Sequence, residues 1–182
     1  MLLICNDFAK KNLLEFSPLK SVVLLILPGG YSLPRPPNVY LGGNVLAYVD
    51  SFKYLGHIIS ADFMDDLDID RERRKIATRG NILVRKFGKC TVEVKCHLFR
   101  TYCYQLYGCS LWSRFRQSIL NHLQVCFNNI LHNIVGFPQW FNASSLFEVL
   151  GNVSYSLMLQ ASSSENSLLY TIGNCDIALF LL

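Results

Sequence analysis

The sequence predicts an α+β fold, with short antiparallel strands and hairpins followed by a three-helix bundle. Two changes of pattern and one of composition predict it. Residues 21–59 hold short apolar runs punctuated by glycine and proline, the mark of strands and turns. From residue 65 onward apolar residues recur at helical spacing instead. The hydrophobic fraction of 51% over 182 residues supplies enough material for a core and argues against wholesale disorder. The patterns divide the chain into 1–64, 65–138 and an irregular or degraded helical tail, 139–182.

The elements follow in order. Residues 3–14 alternate Leu3, Cys5, Phe8, Ala9 and Leu13 with Asp7, Lys10 and Lys11, a helical pattern that Phe16-Ser17-Pro18 ends. Residues 21–27 form a continuous apolar run that reads as a buried strand. Pro28-Gly29-Gly30 turns the chain, and the prolines at 34, 36 and 37 keep the next stretch extended. A short strand at 39–41, a turn at Gly42-Gly43-Asn44 and a return over 45–49 read as one hairpin. Residues 52–59 are a second strand pair or a bent strand, with Gly56 at its sharpest point.

Ile69, Ile76 and Leu83 recur every seven residues, with Gly80 and Phe87 on an adjoining row. This predicts an amphipathic helix of about five turns, ended by Gly88. Val92, Cys96, Phe99, Cys103 and Leu106 predict a second helix. Ile119, Leu123, Cys126, Ile130 and Ile134 predict a third, closed by Gly136-Phe137-Pro138. Ile76, Leu83, Phe87, Phe99, Cys103, Leu106, Leu123 and Ile130 are the expected core. Residues 144–150 have the pattern of one or two further helical turns.

The formal net charge of +4 conceals an uneven distribution. Residues 71–116 carry 12 basic and 2 acidic side chains, while residues 117–182 carry no Lys or Arg at all. A block of net +10 attracts phosphates largely regardless of base sequence; its bland reading is a solvated helix face. The acidic residues Asp62, Asp65, Asp66, Asp68 and Asp70 lack the glycine and the closing glutamate of a calcium loop. They read as negative charge placed at a helix start, where the helix dipole favours it. No nucleophile elbow, zinc-protease helix or phosphate loop occurs. Seven cysteines with no CxxC pair read as small buried apolar residues of a reducing compartment. No signal peptide or membrane-spanning run is seen, so the expected location is intracellular, in cytoplasm or nucleus.

Arg85, Lys86, Lys89, Lys95 and Arg100 interleave with Phe87, Tyr102, Tyr104, Tyr107, Trp112 and Phe115. Such interleaving offers phosphate partners and stacking surfaces, with the aromatics equally suited to the bundle core. Phe87, Phe99, Tyr107 and Trp112 are expected inside.

The order of several short strings resembles one family. Val49-Asp50-Ser51-Phe52-Lys53-Tyr54-Leu55-Gly56-His57 resembles the primer-grip hairpin of the reverse transcriptases of non-LTR (LINE-type) retrotransposons. Asp68-Ile69-Asp70-Arg71, Asn81-Ile82-Leu83 and Arg85-Lys86-Phe87 resemble the first thumb helix of that family. Val94-Lys95, Leu98-Phe99, Tyr102-Cys103, Leu106-Tyr107-Gly108 and Leu111-Trp112 resemble the next. Phe127-Asn128-Asn129 and Leu131 resemble the third, with His132 where the family has an arginine. Phe8-Ala9 and Phe16-Ser17-Pro18-Leu19-Lys20-Ser21 are similar to the unit that closes the palm, with Ser17 in place of an asparagine. The resemblance covers roughly residues 2–150.

The resemblance implies a palm end, a primer grip at Tyr54, Leu55 and Gly56, and a thumb that grips a template–primer duplex of RNA and DNA without reading its sequence. It implies phosphate contacts at Arg73, Arg74, Arg85, Lys86, Lys89 and Lys95, and a pyrophosphate-side role for Lys20. The family's RNA-directed DNA polymerase activity uses Mg2+ held by a pair of palm aspartates, and no acid of this chain matches that pair. The expectation is therefore a truncated copy with no catalytic or metal-binding residue and no activity by itself. The irregular end adds an expected internal deletion near residue 160. The alternative reading is an independent basic helical module that binds RNA or a protein.

Overall fold

The computed structural model describes residues 2–17, 19–27, 36–104, 106, 108–138, 140–142 and 145, together with the backbone of 178–180. The change of period at residue 65 coincides with the boundary between two compact units, which part between Met64 and Asp65.

In the first unit, helix α1 (Leu2–Lys11) is followed by strand β1 (Val22–Leu24). Strands β2 (Tyr40–Leu41) and β3 (Asn44–Val45) form a hairpin around Gly42-Gly43. Strand β4 (Ala47–Val49) comes next, then β5 (Ser51–Tyr54) and β6 (His57–Ser60), which pair antiparallel. The expected single hairpin over 39–49 is broken at Leu46. That side chain is buried, and its N–H donates to the Val39 carbonyl at 2.8 Å. The chain leaves the hairpin there and runs beside β1. The β1–β4 pairing is therefore parallel, Val23 opposite Tyr48, where only antiparallel strands were expected. On its other side β1 pairs antiparallel with β7 (Ala178–Phe180), a strand in the tail that was expected to be irregular or helical. The expected features at residues 28–35 and 144–150 lie outside the described residues, apart from Ser145.

The core of this unit is small. Val23, Leu41 and Leu46 are buried against Leu2, Phe16, Val39 and Tyr48. The Asn6 carboxamide accepts from the Gly42 N–H at 2.9 Å and so ties α1 to the first hairpin. Only Ala9 of α1 is buried, while Leu3, Ile4 and Phe8 are exposed.

The second unit contains helices α2 (Asp66–Phe87), α3 (Val92–Cys103) and α4 (Gln117–Val135), with a short 3-10 turn at Cys109–Leu111. The seven-residue rhythm of α2 buries Ile69, Ile76 and Leu83 against Phe99, Cys103, Leu106, Leu123, Phe127 and Ile130. Phe87 and Trp112 pack half-buried at the edge of this cluster. α3 stops three residues short of Leu106, which is nonetheless buried. Gly136 closes α4 with φ 85°, donating to the His132 carbonyl at 2.8 Å. Gly88 ends α2 in right-handed geometry, φ −57°, without the left-handed cap common at such ends.

Two features of the packing were not foreseen. Phe99, Tyr104 and Phe127 form a contiguous aromatic cluster. Phe99 and Phe127 lie 4.9 Å apart between centroids, and Tyr104 is set edge-on to both. Tyr104 thus serves the core rather than an outer stacking surface. The second feature is the crossing of α2 on α4. A Cβ added at Gly80 would lie 2.3 Å from Ile130 Cγ2, so only glycine allows the helices to approach so closely.

Gly80→Ala should therefore lose about 2 kcal/mol through overpacking, even though alanine favours helix by ~1 kcal/mol. Combined with Ile130→Ala, the added methyl fits the vacated space. Urea unfolding should then show the double variant at least ~1 kcal/mol more stable than the sum of the single effects. Strict additivity would contradict the close contact.

Candidate nucleic-acid interface

The candidate site centres on α2, and the charge it presents is set in the first two turns of that helix. The Asp65 carboxylate accepts from the main-chain N–H groups of Ser113 and Arg114, each at 2.8 Å. The Asp65 N–H donates to the Arg114 carbonyl at 2.7 Å. Asp66 accepts from the Arg116 N–H at 2.9 Å and from its Nε at 2.5 Å. Asp68 accepts from Trp112 Nε1 at 2.9 Å and from Arg71 Nε at 2.6 Å. These carboxylates clip residues 112–116, the segment leading into α4, onto the start of α2. The sequence pattern assigns them to the helix dipole alone, because their partners in residues 112–116 lie more than 40 residues away.

Glu72 is fully buried, with Arg71 at 3.1 Å, Lys75 at 3.3 Å and Arg79 at 3.8 Å. Its oxygens are ion-paired but make no well-aligned hydrogen bond, so the attraction of the three cations is what opposes the desolvation of the charge. Arg79 also donates to the Tyr102 carbonyl of α3 at 3.3 Å. Burial works against the Arg71 charge, but Asp68 and Glu72 outweigh it and raise its pKa above the ordinary arginine value.

Asp70 holds two of the expected phosphate contacts. Arg73 Nη2 lies 2.8 Å from Oδ1 and Arg74 Nη2 lies 2.6 Å from Oδ2. Burial pushes the Asp70 pKa up, but hydrogen bonds from the two guanidiniums prevail and leave it below the usual carboxylate value. The net +10 of residues 71–116 is thus an overcount of available charge. Extending the window to include the four aspartates gives 12 basic and 6 acidic residues over 65–116, net +6.

The remaining expected contacts lie at the other end of the helix. Arg85 and Lys86 occupy the last turn of α2, Lys89 follows Gly88, and Lys95 sits in the second turn of α3. Arg85, Lys86 and Lys89 are exposed and Lys95 is half-buried. Among the described residues none of these four forms an ion pair. The structure therefore separates the predicted set into a carboxylate-paired couple, Arg73 and Arg74, which share Asp70, and a group around the α2–α3 turn that forms no ion pair among the described residues.

The other expected site residues belong to the first unit. Leu55 and Gly56 are the two central residues of the β5–β6 turn, both with positive φ, 46° and 91°. That turn type matches the twist of paired strands and normally selects Asn-Gly or Gly-Gly. Leucine there is strained, and it is 78% exposed, with Tyr54 exposed beside it. Lys20 is exposed in the turn before β1.

Six cysteines among the described residues are free thiols. Burial pushes Cys103 up to about 12 and also raises Cys126, so both are inert thiols rather than nucleophiles. A groove of about 410 Å3 between α2 and α4 is lined by Asp70, Arg73, His122, Cys126, Asn129 and Asn133 among others. Among the described residues no cluster of three or more His, Cys, Asp and Glu side chains is set to hold a metal. The aspartates at the start of α2 are committed to N–H donors, so they do not fit the family's Mg2+ pair. No described helix is long and apolar enough to cross a membrane. No family model, curated protein or solved structure matches the chain.

Trp112→Phe removes the indole donor to Asp68 while keeping an aromatic ring in place. Stability of the helical unit should fall by about 1–2 kcal/mol, read as a lower urea midpoint with unchanged slope. An unchanged midpoint would show that the clip adds nothing to the bundle.

Proposed function

We propose that this chain is the palm-end and thumb portion of a LINE-type reverse transcriptase and that it binds template–primer duplex without reading its sequence. The observation that carries the reading is the group Arg85, Lys86, Lys89 and Lys95. These four cations sit close together in the chain around the α2–α3 turn and form no ion pair among the described residues. The α2 arginines and lysine nearer the N-terminus have carboxylate partners. A phosphate backbone is the chemical complement of that group, because it offers dense negative charge at no fixed sequence. The exposed, strained Leu55 at a hairpin tip, beside Tyr54 and Gly56, supports the primer-grip assignment, since strain of that kind persists where a site uses it. Lys20 keeps its proposed pyrophosphate-side role, which matters only in a complete polymerase. The free thiols fit a reducing intracellular setting, cytoplasm or nucleus.

Two-metal phosphoryl transfer needs carboxylates that hold the ions about 4 Å apart. Among the described residues no cluster is set to hold such ions, and the protein alone is proposed to be inactive. Primer extension on a primed RNA template with magnesium should give no product above buffer; nucleotide incorporation would contradict it.

Binding is tested with an RNA–DNA hybrid at varied salt. Four phosphate contacts predict a log K against log salt slope of roughly −3 to −4 and a Kd of about micromolar order at low salt. Reversing Arg85, Lys86 and Lys89 to glutamate should abolish measurable binding while leaving helical circular dichroism intact. A triple variant that binds as tightly as the parent, with the same slope, would sink the reading. Binding of RNA hairpins alone, with hybrid ignored, would favour the independent RNA-binding module instead.

A further inference from the structure

We propose that Asp70 is a built-in competitor for phosphate, and that by holding Arg73 and Arg74 it confines the duplex grip to the far end of α2. The inference rests on the binding function proposed above and assigns a determinant of its strength and extent.

The geometry is that of one carboxylate shared by two guanidiniums. Oδ1 receives Arg73 through Nε and Nη2, both at 2.8 Å, and Oδ2 receives Arg74 at 2.6 Å. A carboxylate and a phosphate present the same planar-fork partner to arginine, so they compete for the same N–H groups. The arginines are not out of reach. The Arg74 side chain is 75% exposed, Arg73 35%, and Asp70 27%. The Asp70–Arg73 pair also lines the groove beside His122, Asn129 and Asn133, side-chain types that can donate hydrogen bonds. A phosphate placed there would find suitable donors and, within hydrogen-bond range of them, a fixed negative charge. Taking either arginine would leave Asp70 with one partner and a like charge beside it. That repulsion opposes the gain.

Among the described residues no carboxylate pairs with Arg85 or Lys86. They lie 11 residues beyond Arg74 and Lys75, which is close to three turns and so returns to the same side of α2. Arg74 and Arg85 thus share a helix face about 16 Å apart, and one strand backbone could engage both if Asp70 did not hold the first.

The test uses the full chain and an RNA–DNA hybrid. Asp70→Asn should raise affinity at low salt by roughly tenfold and steepen the salt slope by about 1 to 2, since one or two further phosphates become neutralised. The gain should vanish when Arg73→Gln and Arg74→Gln are added. In the parent background, Arg73→Gln/Arg74→Gln alone should change Kd by less than about twofold. This second arm stands even if Asp70→Asn fails to fold, as judged by circular dichroism. The inference is overturned if Asp70→Asn binds with parental affinity and slope. It is equally overturned if the gain survives loss of both arginines, which would mark a through-space charge effect. A marked loss in the Arg73→Gln/Arg74→Gln variant would overturn it too. A parent that binds through Arg85, Lys86 and Lys89 while Asp70→Asn adds nothing defeats the inference alone. A parent that does not bind, with a variant that does, defeats the wider reading of the grip and upholds the competitor. Absence of binding by both defeats the two together.

Discussion

Between Asp65 and Glu72 the chain carries five carboxylates, and each is engaged by a cation or an N–H donor of the same helical unit. That arrangement sets both the shape of the bundle and its outward charge. Asp65, Asp66 and Asp68 fix residues 112–116 to the start of α2, which determines where α4 begins. Asp70 and Glu72 pair from within with Arg73, Arg74, Arg71, Lys75 and Arg79, offsetting part of their charge. The helix is acidic and self-paired at its start and basic at its end, an orientation its dipole favours at both ends.

The interior is completed by apolar contact rather than by charge. Gly80 lets Ile130 close onto α2, and Phe99, Tyr104 and Phe127 fill the space between α3 and α4. A buried Glu72 is an expensive neighbour for such a core. Deleting its three cationic partners together would leave an uncompensated buried charge, whereas replacing the whole network with apolar groups is often neutral. Its value lies in register: Arg79 spans from Glu72 to the Tyr102 carbonyl and so relates α2 to α3. The first unit has no comparable core. Among the described residues its short strands and the links between them bury the apolar side chains Val23, Leu24, Leu41 and Leu46, and Leu3, Ile4 and Phe8 of α1 stay exposed.

The helices were legible because periodicity is a local property. Ile69, Ile76 and Leu83 mark one face of α2 in any context, and Gly136 marks the end of α4. The fold class, α+β, followed from the switch between the two periods. What escaped was long-range. Nothing near Asp65 or Asp68 in the chain foretells Ser113 or Trp112, and a window that began at residue 71 counted arginines as free whose partner, Asp70, stands one residue outside it. The parallel β1–β4 pairing was hidden in the same way. Residues 45–49 look like one continuous return strand, and only burial of Leu46 separates β3 from β4. Phe127 was overlooked because the apolar stripe of α4 was drawn one residue away, through Cys126.

The central proposal is that a nucleic-acid interface on this protein would be made by its unpaired cations, not by the total of its basic residues. Lysine acetylation footprinting with and without an RNA–DNA hybrid addresses it most directly, because each lysine reports its own accessibility. The account predicts strong protection of Lys86 and Lys89, weaker protection of the half-buried Lys95, and none at Lys75, which is paired with Glu72, or at Lys10 and Lys11 of α1. Uniform protection of all these lysines, or protection of Lys10 and Lys11 with Lys86 and Lys89 still reactive, would contradict it.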